Sequence, residues 1–183
     1  MTAENEKEIC VIASIQPVWN HKILIREKLY EVRKTAPNIP TPFRCLIYCT
    51  RNRLRMDVNN DILYWPPGGK CQYGCPMEVR IHNTLDSIPG ILNGKVIAEF
   101  ICDEILTFNP ARNEDGELGY EIPTAIGELT GMDYGQAFAY GGGKPLYFWH
   151  ISELKKYENP LTLAEIGLKA APQSWQYVVL EAS

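Results

Sequence analysis

The sequence predicts a mainly β (α+β) domain with short peripheral helices. Apolar and β-branched residues come in short runs, at 9–14, 43–50, 95–108, 146–151 and 173–180. The 13 prolines and 14 glycines cut the chain between those runs, and helical periodicity is confined to brief segments. With 183 residues, 45% of them hydrophobic, a single domain over 1–183 with a real core is expected.

Residues 9–14, ICVIAS, suit a buried first strand. The next stretch, 14–37, is the most informative. Pro17 fits the first turn of a helix, where its missing N–H loses no partner, and Val18, Trp19 and Ile23 share one helical face. Arg26, Glu27 and Lys28 break the apolar pattern. Residues 29–33 then alternate as a strand, with Tyr30 and Val32 on one face and Leu29, Glu31 and Arg33 on the other. Lys28 stands at the mouth of that strand.

Pro37, Pro40 and Pro42 make 35–42 an extended connection. In the strand 43–50, Cys45, Ile47 and Cys49 face one way and Arg44, Leu46 and Tyr48 the other. Residues 51–93 read as an insertion, with a short helix or strand pair around 77–85. Asn93-Gly94 is a turn, and 95–108 a long strand bent near Cys102, Asp103 and Glu104. A polar turn region follows at 109–124, then a short helix within 130–140. Gly141, Gly142 and Gly143 end that helix and lack the Lys-Ser or Lys-Thr of a P-loop. Residues 146–151 form a strand and 152–159 a charged turn. Thr162 and Glu165 have capping-box spacing for a short helix through Leu168, and 173–180 is the closing strand.

The net charge of −4 is unevenly spread. Residues 20–55 hold nine cations against Glu27 and Glu31, a local +7 that leaves −11 elsewhere. A basic surface on an acidic body suits a selective binder of a polyanion; the alternative is that these charges point apart in the fold. No apolar run is long enough for a transmembrane helix, and the acidic N-terminus is not a secretory signal. The six cysteines are then reduced thiols in a cytoplasmic protein.

Lys28-x-x-Glu31-x-Arg33 resembles the G-x-K-x-x-E-x-R signature of the ASCH domains, a branch of the PUA-like superfamily; the glycine position is Arg26 here. Residues 14–17, 94–100, 144–151 and 172–178 resemble other elements of the family in order. The resemblance implies a PUA-like β-barrel with short peripheral helices. Some ASCH proteins are amidohydrolases that deacetylate a modified cytidine, using a signature threonine as nucleophile, the signature lysine and a glutamate from a later helix. Here Lys28 is kept, Glu31 stands at the threonine position, and the later helix region offers Asp133.

The leading expectation is therefore binding of RNA or a modified nucleotide in a basic cleft beside the Lys28–Arg33 strand. Lys28, Glu31 and Arg33 would supply charge, and Trp19 and Trp149 rings for stacking. The alternative is a small amidohydrolase acting on an N4-acylated cytidine-type nucleoside, with Lys28 and Glu31 catalytic; an ion-paired structural rim is the bland reading. Cys71, Cys75 and His82 could ligate zinc, but ordinary thiols are the simpler reading, so neither metal nor cofactor is expected. His150, among apolar residues, reads as structural.

Overall fold

A computed structural model describes residues 7–51, 54–56, 62–64 and 92–181, with the backbone alone at 54–56 and 62–64. The chain is mainly β with a few short helices. One sheet has five strands: β1 (Lys7–Ile15), β3 (Phe43–Cys49), β6 (Val96–Cys102), β11 (Ser152–Leu161) and β12 (Trp175–Glu181). Their order is β11-β6-β3-β1-β12, with only β1 and β3 parallel. That parallel pair needs a crossover, which α1 (Pro17–Leu24) and β2 (Tyr30–Arg33) supply. A second sheet of three strands sets β10 (Leu146–His150) between β2 and β7 (Ile105–Phe108). The small antiparallel pairs β4 (Leu54–Met56) with β5 (Ile62–Tyr64), and β8 (Pro110–Arg112) with β9 (Leu118–Tyr120), are the other described strands.

The alternation expected in β3 holds. Cys45, Ile47 and Cys49 join Val11, Phe100 and Trp149 in the main core, while Leu46 and Tyr48 pack with Ile12 and Val178 on the other side. A third cluster, with Tyr30, Val32 and Phe148, lies under α2 (Thr124–Glu128) and α3 (Tyr134–Gly141). The bend near Asp103 and Glu104 turns β6 into β7, and Ile151 turns β10 into β11, so two runs of chain serve both sheets. The ladders nevertheless do not close: the barrel expected from sequence is, among the described residues, two separate sheets sharing a core.

Residues 152–159, expected as a turn, are most of β11. Glu153 (φ 46°) and two register shifts against β6 break its alternation, so an edge strand with charged, exposed positions reads as a turn. The hairpin β8–β9 fell in the expected turn region for the same reason, being short and mostly exposed. The Thr162–Glu165 capping box is present, with Thr162 N–H donating to Glu165 at 2.7 Å and Glu165 N–H to Thr162 Oγ1 at 3.3 Å; the helix it starts is one 3₁₀ turn, Ala164–Ile166.

Where β3 ends, Gly94 N–H donates to Cys49 O (2.7 Å), Cys49 N–H to Lys95 O (2.9 Å), and Asn93 Nδ2 to Thr50 O (2.9 Å). The excursion between β3 and β6 thus leaves and returns at one hydrogen-bonded stem. The expectations for 77–85, and for Cys71, Cys75 and His82, lie outside the described residues. The four described cysteines, Cys10, Cys45, Cys49 and Cys102, are buried free thiols, and burial holds Cys10, Cys49 and Cys102 up to about 12. Among the described residues no helix is long and apolar enough to cross a membrane.

The helix α1 ends in a Schellman motif: Glu27 N–H reaches Lys22 O (2.9 Å) and Arg26 N–H reaches Ile23 O (3.0 Å). The residue in the left-handed position is Arg26, at φ 64°, where a Cβ crowds the following carbonyl. Arg26→Gly is therefore expected to stabilise the fold by about 1 kcal/mol. Chemical denaturation checks it; a loss would mean that the Arg26 Nη2 bond to Leu154 O (3.1 Å) outweighs the backbone term.

Candidate functional site

The strand β2 is buried along its whole length, and its two faces do different work. Tyr30 and Val32 pack under α2 and α3. Glu31 and Arg33 point the other way; Trp149 of β10 stands directly opposite Glu31 in the ladder, hence on the same face. The charged face forms the floor of a cleft of about 650 Å³. Its walls come from the end of β1 (Ser14, Ile15), Gln16 and Trp19 at the start of α1 and within it, the chain after β2 (Lys34, Thr35), Thr50 and Arg51 after β3, Met132 before α3 and Tyr140 on it, and Gln173 and Ser174 before β12.

Glu31 is held between two cations. Its Oε2 lies 3.5 Å from Lys28 Nζ and its Oε1 2.9 Å from Arg33 Nη2. Lys28 also donates to Tyr30 O (2.7 Å) and Thr130 O (2.8 Å), so the three N–H groups of its ammonium meet three acceptors. Burial pushes its pKa down, and Glu31 opposes that shift. Arg33 spends Nη1 on Ser174 O and Oγ, and Nη2 on Ser14 O and Glu31, which ties β2 to the end of β1 and the start of β12. Among the described residues its Nε has no partner, and neither has Thr50 Oγ1.

The loop after α2 closes over this group. Leu129 O accepts from Leu29 N–H (2.7 Å) and Tyr30 N–H (3.1 Å). Gly131, at φ 67°, follows; a Cβ there would sit 3.0 Å from Lys22 Cδ and 3.7 Å from Lys28 Cβ, so glycine lets the loop approach.

Trp19 is half-buried, with Lys22 Nζ 5.3 Å and Lys28 Nζ 5.5 Å from its ring centroid. Across the cleft, Lys34 Nζ lies 4.9 Å from the Tyr140 centroid. The described lining holds four cations, Lys28, Arg33, Lys34 and Arg51, against one carboxylate, Glu31.

The fold thus brings Trp19, Lys28, Glu31 and Arg33 to one cleft and keeps Trp149 out of it. Trp149 has no exposed surface; its ring meets Phe43 and Trp175 edge-on at 5.9 and 5.8 Å, so it is core and cannot stack on a ligand. In sequence a ring beside the family motif looks like a binding ring; its aromatic neighbours on the inner sheet faces make it core. Lys28 is also not at an open strand mouth: it is 2% exposed, and its donors are engaged. Asp133 caps α3, accepting from Gln136 N–H at 2.7 Å, and does not line the cleft. His150 pairs with Asp103 (2.7 Å) at the corner between the sheets.

Sequence reasoning missed Gln16, Thr35, Tyr140 and Ser174. Arg51 belongs to the basic segment 20–55, and only the fold puts it in the cleft. Nothing in the sequence sets Tyr140 apart from other aromatics, and only the packing of α3 beside β2 brings it to the cleft.

No protein-family model and no curated protein matches the sequence. Solved structures match the fold. The ASCH protein of Zymomonas mobilis is 14% identical, with a TM-score of 0.55 over 92% of this chain and 86% of that one. Two substituted forms of the same protein give 14% and 13% identity and TM-scores of 0.56 and 0.55, each over 92% of this chain and 88% and 87% of theirs. The chain has the ASCH fold.

Proposed function

We propose that the chain binds RNA or a modified nucleotide in the cleft beside β2. The observation that carries this is the described lining: four cations against one carboxylate, with Trp19 and Tyr140 on the walls. Rings hold a base by stacking, and cations hold its phosphates. The buried Lys28–Glu31–Arg33 group acts chiefly as the charged floor. Direct contacts fall to Gln16, Trp19, Lys34, Arg51 and Tyr140, which line the cleft with more exposure. The hydrolytic alternative draws less support, because each Glu31 oxygen already faces a cation and the Lys28 donors are committed.

Fluorescence anisotropy with labelled single-stranded RNA at two salt concentrations tests the reading. The native chain should bind more tightly at low salt. Trp19→Ala should weaken binding by about 5- to 150-fold, the cost of about 1–3 kcal/mol for one stacked base. Absence of binding at low salt, or unchanged affinity in the variant, removes the proposal.

A further inference from the structure

A second cleft, of about 770 Å³, adjoins the first. Gly94 and Lys95 form one side of it, and residues from the stretch 160–169, including Leu163, Leu168 and Lys169, form the other. Arg51 lines both clefts, so they share a wall. The charged side chains of its described lining are Arg51, Lys95 and Lys169; no carboxylate is among them. On a chain of net charge −4, that clustering of one sign is not the average surface. The two clefts also differ. Trp19 and Tyr140 line the first, whereas the described lining of the second has leucine and proline and no ring.

We propose that the second cleft is a backbone-tracking extension of the first, and that the ligand is a single-stranded RNA segment spanning both. This rests on the nucleotide-binding reading of the first cleft. A base would stack there, and the phosphates that follow would run past Arg51 to Lys95 and Lys169. A lone nucleotide would fill the first cleft and leave the second unused. A duplex would keep its base faces covered and present none to Trp19.

Lys95→Gln with Lys169→Gln tests it. Lys169 is exposed, and the hydrogen bonds of Lys95 at the stem are made by its backbone, its carbonyl accepting from Cys49 N–H and its N–H donating to Leu92 O, so the substitution leaves the ladder β3–β6 untouched. Anisotropy is measured with a labelled dinucleotide and a labelled octanucleotide of RNA. The native chain should bind the octanucleotide at least about tenfold more tightly. The double variant should lose on the order of 25-fold on the octanucleotide near 0.1 M salt, with its salt slope shallower by about 1.4, or about 0.7 for each phosphate left without its lysine. Its affinity for the dinucleotide should not change. If the octanucleotide binds no better than the dinucleotide, or the variant binds it like the native chain, the extension is wrong. The first-cleft reading then stands provided Trp19→Ala still weakens both RNAs. If the native chain binds neither RNA, both ideas fall.

Discussion

Glu31→Gln is expected to lower the stability of the fold by about 3–5 kcal/mol, the usual cost of removing one member of a buried ion pair. Glu31 is the carboxylate that both Lys28 and Arg33 meet. Without it Lys28 keeps two backbone carbonyls, and Arg33 keeps Ser14 and Ser174, but two cations then face each other in a poorly solvated floor. The pH dependence follows from Lys28. Burial already holds its pKa below the ordinary 10.5, and Glu31 works against that shift, so the substitution lowers it further. A lysine whose folded pKa lies below its unfolded one binds fewer protons when folded. Its penalty is therefore full below the folded pKa and relieved as pH rises toward the unfolded value. The variant should be most impaired at neutral pH and recover part of its deficit on the alkaline side. Guanidinium unfolding of both proteins at neutral and alkaline pH measures this. A deficit under about 1 kcal/mol at neutral pH would show that the pair is solvated rather than buried.

Trp149→Ala should cost about 3–5 kcal/mol, since a fully buried indole leaves a cavity that its neighbours only partly fill. The ring is wedged between Phe43 and Trp175 on the shelf opposite Glu31, so the loss should also loosen the cleft floor. Trp149→Phe separates packing from recognition. It keeps most of the apolar bulk and removes an Nε1–H that has no hydrogen-bond partner among the described residues. It should unfold at a lower denaturant concentration than the native chain and bind RNA with the same affinity. A selective loss of RNA affinity in this variant, with stability preserved, would return Trp149 to the binding surface.

The sequence was most legible where backbone chemistry is local. Pro17 marked the start of α1, the 29–33 alternation gave the two faces of β2, and Thr162 and Glu165 announced their cap. Most of the site could be read for the same reason: α1, β2 and the turn between them contribute Trp19, Lys28, Glu31 and Arg33 within fifteen consecutive residues. What escaped was fixed by packing between distant segments. Trp149 and Trp19 are equally aromatic and equally near a motif, yet one is sealed between two sheets and the other borders a cleft. The edge strand β11 escaped because exposure on one side and an irregular ladder erase the period-two pattern that identifies strands.

The stem at Cys49, Thr50, Asn93 and Gly94 partitions the chain's freedom to change. A segment that departs and rejoins at one closed point can grow or shrink while the sheet keeps its register, since doubling its length adds only about 0.6 kcal/mol of closure entropy. Arg51, the residue common to both clefts, sits just beyond that point. Descendants of such a chain could therefore vary the surroundings of the shared wall without disturbing the charged floor or the core beneath it.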